Sequence, residues 1–273
     1  MIEVFPREGE HTLRTEDIVS TIQEHGDSVA LVLFSGIQYY TGQVFDMKAI
    51  TEAGHGVGAY VGFDCAHSAG NYPMKLHEWG PDFAAWCTYK YINSGPGGIA
   101  GAFVHERHHE NPDLPRFAGW WGHRPSDRFL MAPDFIPDKG AAGFQLSNPP
   151  VLLIASLRAS LDLFERAGGI DALRAKSVKL TGYLEWLLTT DELLADEVTI
   201  ITPADPVARG AQLSLVFKRN VEAIQRIFQR ESVIVDTRKP HVMRVAPAPL
   251  YNNFSDVWDF VYALKTAIQE VDA

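Results

Sequence analysis

Lys90, Asp64, His67 and Tyr89 are the residues whose types and spacing give this chain chemistry. Lys90 follows the apolar run at 83–89 (FAAWCTY) and precedes the glycine-rich loop at 94–98 (SGPGG). A lysine at the end of a buried strand sits in poor solvent, which favours its neutral amine. That is the form that attacks a carbonyl carbon. Asp64 closes a second strand-like run at 59–63, and a carboxylate at a neighbouring strand end is placed to hold a pyridine-type ring nitrogen protonated. His67 follows three residues later, and Tyr89 sets a phenol beside the lysine, a pairing suited to proton transfer. Plainer roles compete with each: a loop lysine capping a strand, an aspartate capping a helix that starts near Cys65, and an ordinary aromatic at a strand end.

The elements that must position these residues follow from hydrophobic period and caps. Residues 2–5 read as a short strand. Thr15 caps a helix at 16–25, closed by Gly26. The continuous apolar run at 29–34 predicts a strand buried on both faces. Asp46 caps a helix to 53, and strands follow at 59–63, 83–89 and 100–104. Such strand–helix–strand alternation is the mark of a parallel α/β sheet. Periodicity is lost from 105 to 148, a long excursion rich in Pro, Gly, Trp and Arg, and loops of that length are usually functional. Helices at 151–167 and 170–188 come next, then strands at 198–202 and 213–217 around a helix at 221–230. Strands at 233–236 and 242–245 and a helix to 271 capped by Ser255 complete an α+β module. The division expected is a partial sheet domain at 1–148 and a smaller α+β domain at 149–273.

Composition narrows the class. With 273 residues, 46% hydrophobic and 21% charged, the chain has ample material for a core. A net charge of −10 opposes binding to nucleic acid or an anionic membrane. No run reaches the length of a membrane span, the start MIEVFPREGEHT is not a signal peptide, and two cysteines form no disulfide framework. A reduced, cytoplasmic setting is expected. His105, His108 and His109 with Glu106 and Glu110 suggest a metal site, but a charged loop of this kind reads as a solvated face, so no metal is expected. The loop at 94–98 lacks the Gly-Lys-Ser/Thr ending of a phosphate-binding loop.

Six stretches carry a resemblance: FSGIQYYTGQ (34–43), VGFDCAHSAGN (61–71), WCTYKYINSGPGGIAGAF (86–103), GWWGH (119–123), LSNPP (146–150) and RVAPAPLYN (244–252). In this order they resemble the kynureninases. The resemblance implies an aminotransferase-like fold of type I, with pyridoxal 5′-phosphate (PLP) as cofactor. The implied reaction is hydrolysis of the β,γ carbon–carbon bond of L-kynurenine or 3-hydroxykynurenine, giving anthranilate or 3-hydroxyanthranilate and L-alanine. It further implies that Lys90 carries the cofactor and moves the substrate α-proton, and that Asp64 pairs with the pyridine nitrogen. By the same likeness His67 lies against the cofactor, Ser35 touches it, and Tyr89 and the Trp120 indole N–H reach its phosphate. Ser147 and Asn148 would face the substrate ring, Asn148 also nearing the cofactor, and that pair resembles forms favouring the 3-hydroxylated substrate. His123 and Trp121 would shape the pocket, and Arg244 would grip the α-carboxylate through its planar guanidinium. A homodimer with the site at the subunit interface is implied as well. The family's long N-terminal part has no match here, and with it go a phosphate-cradling loop, a ring-stacking aromatic and a second aspartate. Two other readings therefore stand: a non-catalytic fragment, and a related enzyme such as a cysteine desulfurase.

Overall fold

Alternating strands and helices lay down a four-stranded sheet in simple chain order. In the computed structural model, which describes residues 1–109, 111, 113–239 and 241–272, helix α1 (Thr15–His25) precedes strand β1 (Leu31–Ser35). Then come α2 (Met47–Gly56), β2 (Tyr60–Asp64), the short α3 (Leu76–Trp79), β3 (Phe83–Cys87) and β4 (Ala100–Val104). The order is β1-β2-β3-β4, with the first two pairings parallel and the last antiparallel. Ile18 and Ile22 of α1 and Met47 and Ile50 of α2 bury against Val32, Val61, Phe63 and Ala84. Each side chain buried in this way contributes about 1.5–3 kcal/mol relative to exposure. Gly54 lets α2 lie close, since a Cβ there would stand 2.5 Å from Val61 Cγ2. Asp46 caps α2 by accepting from the Ala49 N–H at 2.9 Å, as expected from the sequence.

Helices cover only one face of this sheet at β1. Leu31 and Leu33, which point the other way by the two-residue period, are 48% and 61% exposed. The expectation of a strand buried on both faces is thus corrected. No strand forms at 2–5; Val4 packs on the core from an irregular segment. Helix α1 starts at Thr15 with Arg14 before it and no side-chain cap, leaving Glu16 and Asp17 to offset the exposed N–H groups.

The second half builds a separate core. Helices α4 (Val151–Arg166), α5 (Gly169–Thr190) and α6 (Glu192–Glu197) lead to β5 (Val198–Ile200) and β6 (Leu213–Phe217). Helix α7 (Val221–Arg230), strands β7 (Asp236–Arg238) and β8 (Val242–Val245), and α8 (Phe254–Asp272) follow. The antiparallel order is β5-β6-β8-β7. Leu184, Leu213, Leu215, Ile224, Phe228 and Leu264 fill the space between this sheet and its helices. Here β7 begins three residues later than the sequence predicts. Val233 and Val235 pack on the core from a loop, so their apolarity marks burial rather than strand. Helix α8 is capped by Asn253, whose Oδ1 accepts from the Ser255 and Asp256 N–H groups, rather than by Ser255.

The stretch at 105–148 folds into short 3₁₀ turns, with no strand among its described residues. Arg116 over Phe144 (5.1 Å) and Arg128 over Trp121 (4.4 Å) hold it together. Its histidines are not a solvated face. Asp82, buried beneath them, accepts from the Val61 N–H at 2.7 Å and pairs with His108 Nε2 at 2.7 Å and His55 Nε2 at 3.0 Å. His105 is buried and stacks on His77 at 5.1 Å. Glu110 lies outside the described residues, and among those described no group of three or more potential ligands could hold a metal ion.

Candidate active site

Three parallel strands end side by side, and the ends carry the chemistry. Ser35 closes β1 and pairs in register with Asp64, which closes β2; Ala85 of β3 lies opposite Asp64 in turn. In open α/β sheets ligands bind beyond the carboxyl ends of the strands. A cleft of about 440 Å³ opens there, lined by Ser35 and Asp64 of the first sheet, by His67 and Lys90 from the loops that follow β2 and β3, and by Asp236, Arg238 and Arg244 of the second sheet. That is within the range of roughly 300–1,000 Å³ typical of small-molecule sites.

The loop bearing Lys90 is locked rather than mobile. Strand β3 ends at Cys87, so Lys90 sits three residues beyond it, half-buried rather than at the end of a buried strand. Thr88 Oγ1 donates to the Ile99 carbonyl at 2.5 Å and Ser94 Oγ to Thr88 Oγ1 at 2.7 Å. From outside, Ser156 and Ser160 of α4 donate to the Ser94 and Ile92 carbonyls. The glycine-rich loop therefore closes on itself and on α4. Lys90 Nζ makes no hydrogen bond or ion pair among the described residues, so it is available to a ligand.

Asp64 caps a turn rather than a helix, and its carboxylate lines the cleft. Its Oδ1 accepts from the Ala66 N–H at 2.8 Å, a turn-capping bond, while the carboxylate stays exposed on the cleft. His67 stands between Tyr39 and Tyr91, with ring centroids at 6.4 and 6.0 Å. Burial, then the charges of Lys90, Arg244 and Arg238, push its pKa down to about 4 against the pull of Asp64, so the ring is neutral at pH 7. Burial likewise pushes the Tyr91 phenol up to about 12 and keeps it protonated. Arg244 is tied to Asp236 and donates from Nη1 to the Tyr39 carbonyl at 2.8 Å. Its Nε is buried and finds no acceptor. An open carboxylate, a free amine, a hydroxyl, a neutral ring and a guanidinium with a spare donor fit a ring-shaped anionic cofactor and a carboxylate-bearing substrate.

The remaining residues singled out by resemblance lie off this cleft. Tyr89 is exposed, and its hydrogen bond with Cys87 raises its pKa. Trp120 donates its indole N–H to the Arg128 carbonyl at 3.2 Å and packs on Phe129. His123 is buried against Phe135, its Nδ1 accepting from the Ile136 N–H at 3.3 Å. Ser147 and Asn148 are exposed on the same arm. Conversely, Tyr39, Gln212, Asp236 and Arg238 line the cleft without having been singled out. Tyr39 and Arg244 fall in two of the matched stretches, 34–43 and 244–252, but only the fold brings those stretches together, through the Arg244 bond to the Tyr39 carbonyl, to which Gln212 Nε2 also donates at 3.0 Å.

Solved structures with this arrangement are fold-type-I PLP enzymes. The apo cysteine desulfurase of Thermococcus onnurineus NA1 superposes with a TM-score of 0.78 at 17% identity, covering 98% of this chain and 66% of that one. The alanine–glyoxylate aminotransferase of Nostoc sp. gives 0.69 at 16%, covering 94% and 66%. The fold is thus the aminotransferase-like fold of that class. Within the class the chain is similar to the kynureninases. It is 55% identical over 270 residues to the kynureninase of Myxococcus xanthus (strain DK1622), and 54% identical over 280 residues to that of Nematostella vectensis. Each match covers 99% of this chain, and the family model "Kynureninase C-terminal domain" matches residues 173–264. The chain spans about three fifths of the length of these relatives, 63% and 60% respectively. No helix among the described residues is long and apolar enough to cross a membrane.

Proposed function

We propose that this chain carries the PLP site and the carboxylate-binding site of a kynureninase, hydrolysing the β,γ carbon–carbon bond of L-kynurenine or 3-hydroxykynurenine to release L-alanine. The observation that carries the reading is the meeting of Ser35, Asp64, His67 and Lys90 with Arg244 in one cleft, in a chain 55% identical to a kynureninase. When bound, the cofactor supplies an electron sink for a substrate carbanion. Lys90 would hold the cofactor aldehyde and, once released, move the α-proton. Asp64 would hold the ring nitrogen protonated with its exposed carboxylate. His67, neutral, would lie against the ring without adding charge. Arg244 would orient the substrate by its carboxylate.

Residues 1–148 would act as the cofactor-binding module and 149–273 as the small domain, a division supported by the two separate hydrophobic cores. The exposed Tyr89, together with the arm at 105–148 that carries Trp120, His123, Ser147 and Asn148, would serve the cleft of a second copy across a homodimer interface. Supporting this, the arm avoids its own cleft and exposes Phe117, Phe129 and Leu130, beside the exposed Leu152 of α4. A cytoplasmic location accords with such an enzyme.

The test is alanine release from both substrates with added PLP, by this chain joined to the preceding part of a relative. Release that depends on Lys90 and Arg244 supports the reading; no release counts against it. One observation favours a second, non-catalytic reading for the 273 residues alone. The outward face of β1 leaves Leu31 and Leu33 exposed, a surface prone to capture or aggregation. Turnover by the 273 residues alone, near that of a full-length relative, would overturn that second reading.

A further inference from the structure

The hairpin of β7 and β8 places three charged groups on one face. Asp236 pairs in register with Arg244, and Arg238, two residues on, shares the face of Asp236. The single Asp236 carboxylate serves both cations: Oδ2 meets Arg244 Nη2, and Oδ1 meets Arg238 Nη1 at 2.5 Å. Two guanidinium groups against one carboxylate leave one positive charge over, at the mouth of a cleft where His67 is neutral. The partners differ in freedom. The Arg244 side chain is 12% exposed and pinned by the Tyr39 carbonyl, whereas Asp236 and Arg238 are 46% and 40% exposed. When such a pair opens, the exposed carboxylate moves and the pinned guanidinium stays.

We propose that Asp236 is a resident competitor for the carboxylate site of Arg244, and that Arg238 is the second cation that receives Asp236 when a ligand displaces it. This rests on the reading of Arg244 as the substrate-carboxylate group. The ligand class is an α-amino acid with a free carboxylate. As one carboxylate replaces another on Arg244, the guanidinium is never left unpaired, and the displaced Asp236 stays neutralised by Arg238. The exchange costs affinity and gains selectivity, since a ligand without a carboxylate cannot compensate Arg244. Asp236 and Arg238 are thus positioning residues, acting through Arg244.

The experiment is titration of the 273-residue chain with L-kynurenine and with L-alanine, each beside its carboxamide, followed by ligand-observed NMR. Charge-assisted bonds are worth enough that Asp236→Asn should tighten both carboxylates about tenfold and leave the carboxamides unchanged. Arg238→Gln should weaken them, because Asp236 then has Arg244 as its sole cation. In the double variant the effect of Arg238→Gln should vanish, whereas a direct ligand contact by Arg238 would persist. Asp236→Glu, which keeps the charge, should stay near wild type and controls for folding. Unchanged or weaker carboxylate binding in Asp236→Asn overturns the proposal, as does the absence of carboxylate-dependent binding in every chain. If kynurenine binds no better than alanine while Asp236→Asn still tightens both, the substrate reading fails and the competitor stands.

Discussion

Replacing Lys90 with glutamine should raise the pKa of His67 by about half a unit to one unit. His67 titrates at about 4 because burial disfavours the imidazolium and because Lys90, Arg244 and Arg238 add like charge around it. Among those charges Lys90 is the largest contributor, so its deletion removes the strongest repulsion while leaving the wall of the cleft in place. At an effective dielectric of about 20, two unit charges on opposite walls of a cleft, on the order of 8 Å apart, interact by about 2 kcal/mol, and solvent in an open cleft halves that or more. Burial remains the first cause, so His67 should move to about 5 and not to the ordinary histidine value. An NMR titration of the His67 ring Cε1–H in wild type and Lys90→Gln reads this directly, without cofactor or turnover. An unmoved midpoint, or a wild-type midpoint near 6.5, would refute the placement of Lys90 and His67 in one electrostatic neighbourhood. Stability follows the same sign. The folded value lies below the unfolded one, so neutral His67 supports the fold above about 6.5, and that support is lost as pH falls towards about 4. Lys90→Gln should flatten this loss.

Asp82 offers a contrasting case. Burial raises its pKa, but bonds from the Val61 N–H, His55 and His108 outweigh burial and hold it below the ordinary value. Its contribution is present above the unfolded carboxyl pKa and lost as pH falls through the lower folded one. Asp82→Asn should cost about 1–3 kcal/mol in urea denaturation by leaving buried donors unpaired; a loss below about 0.5 kcal/mol would contradict the network. On the arm, Asn148→Leu in an assembled enzyme should narrow the preference for 3-hydroxykynurenine over kynurenine by about tenfold, the value of a hydrogen bond to a ring hydroxyl. An unchanged ratio of kcat/KM for the two substrates would remove Asn148 from the ring site.

Much of this was legible in the chain because local rules and burial agree there. The Asp46 cap, the β6 run at 213–217 and the helix at 221–230 fall where pattern and capping put them. Burial without strand pairing misled at Val233 and Val235, where packing against α-helices needs only apolarity. Helix α6 was missed because ELLADE is a single short turn between longer elements, too brief for a period to show. The cleft was half legible. Asp64, His67 and Lys90 stand close in sequence, but Tyr39, Gln212 and Asp236 reach it through contacts between residues far apart in the chain. Such pairings depend on how the two sheets dock, which neither propensity nor spacing encodes. The histidines at 105 and 108 misled for the same reason, since their partner Asp82 lies far back in the chain, at the entry to β3.

The central claim is that Lys90 is the lysine this cleft offers to PLP, and one measurement addresses it most directly. The chain is incubated with PLP, reduced with borohydride, digested, and the peptides mapped by mass. The account predicts the pyridoxyl label on Lys90, lost in Lys90→Gln and diminished in Asp64→Ala. A label on the exposed Lys75 or on Lys139, with Lys90 unmodified, would contradict it.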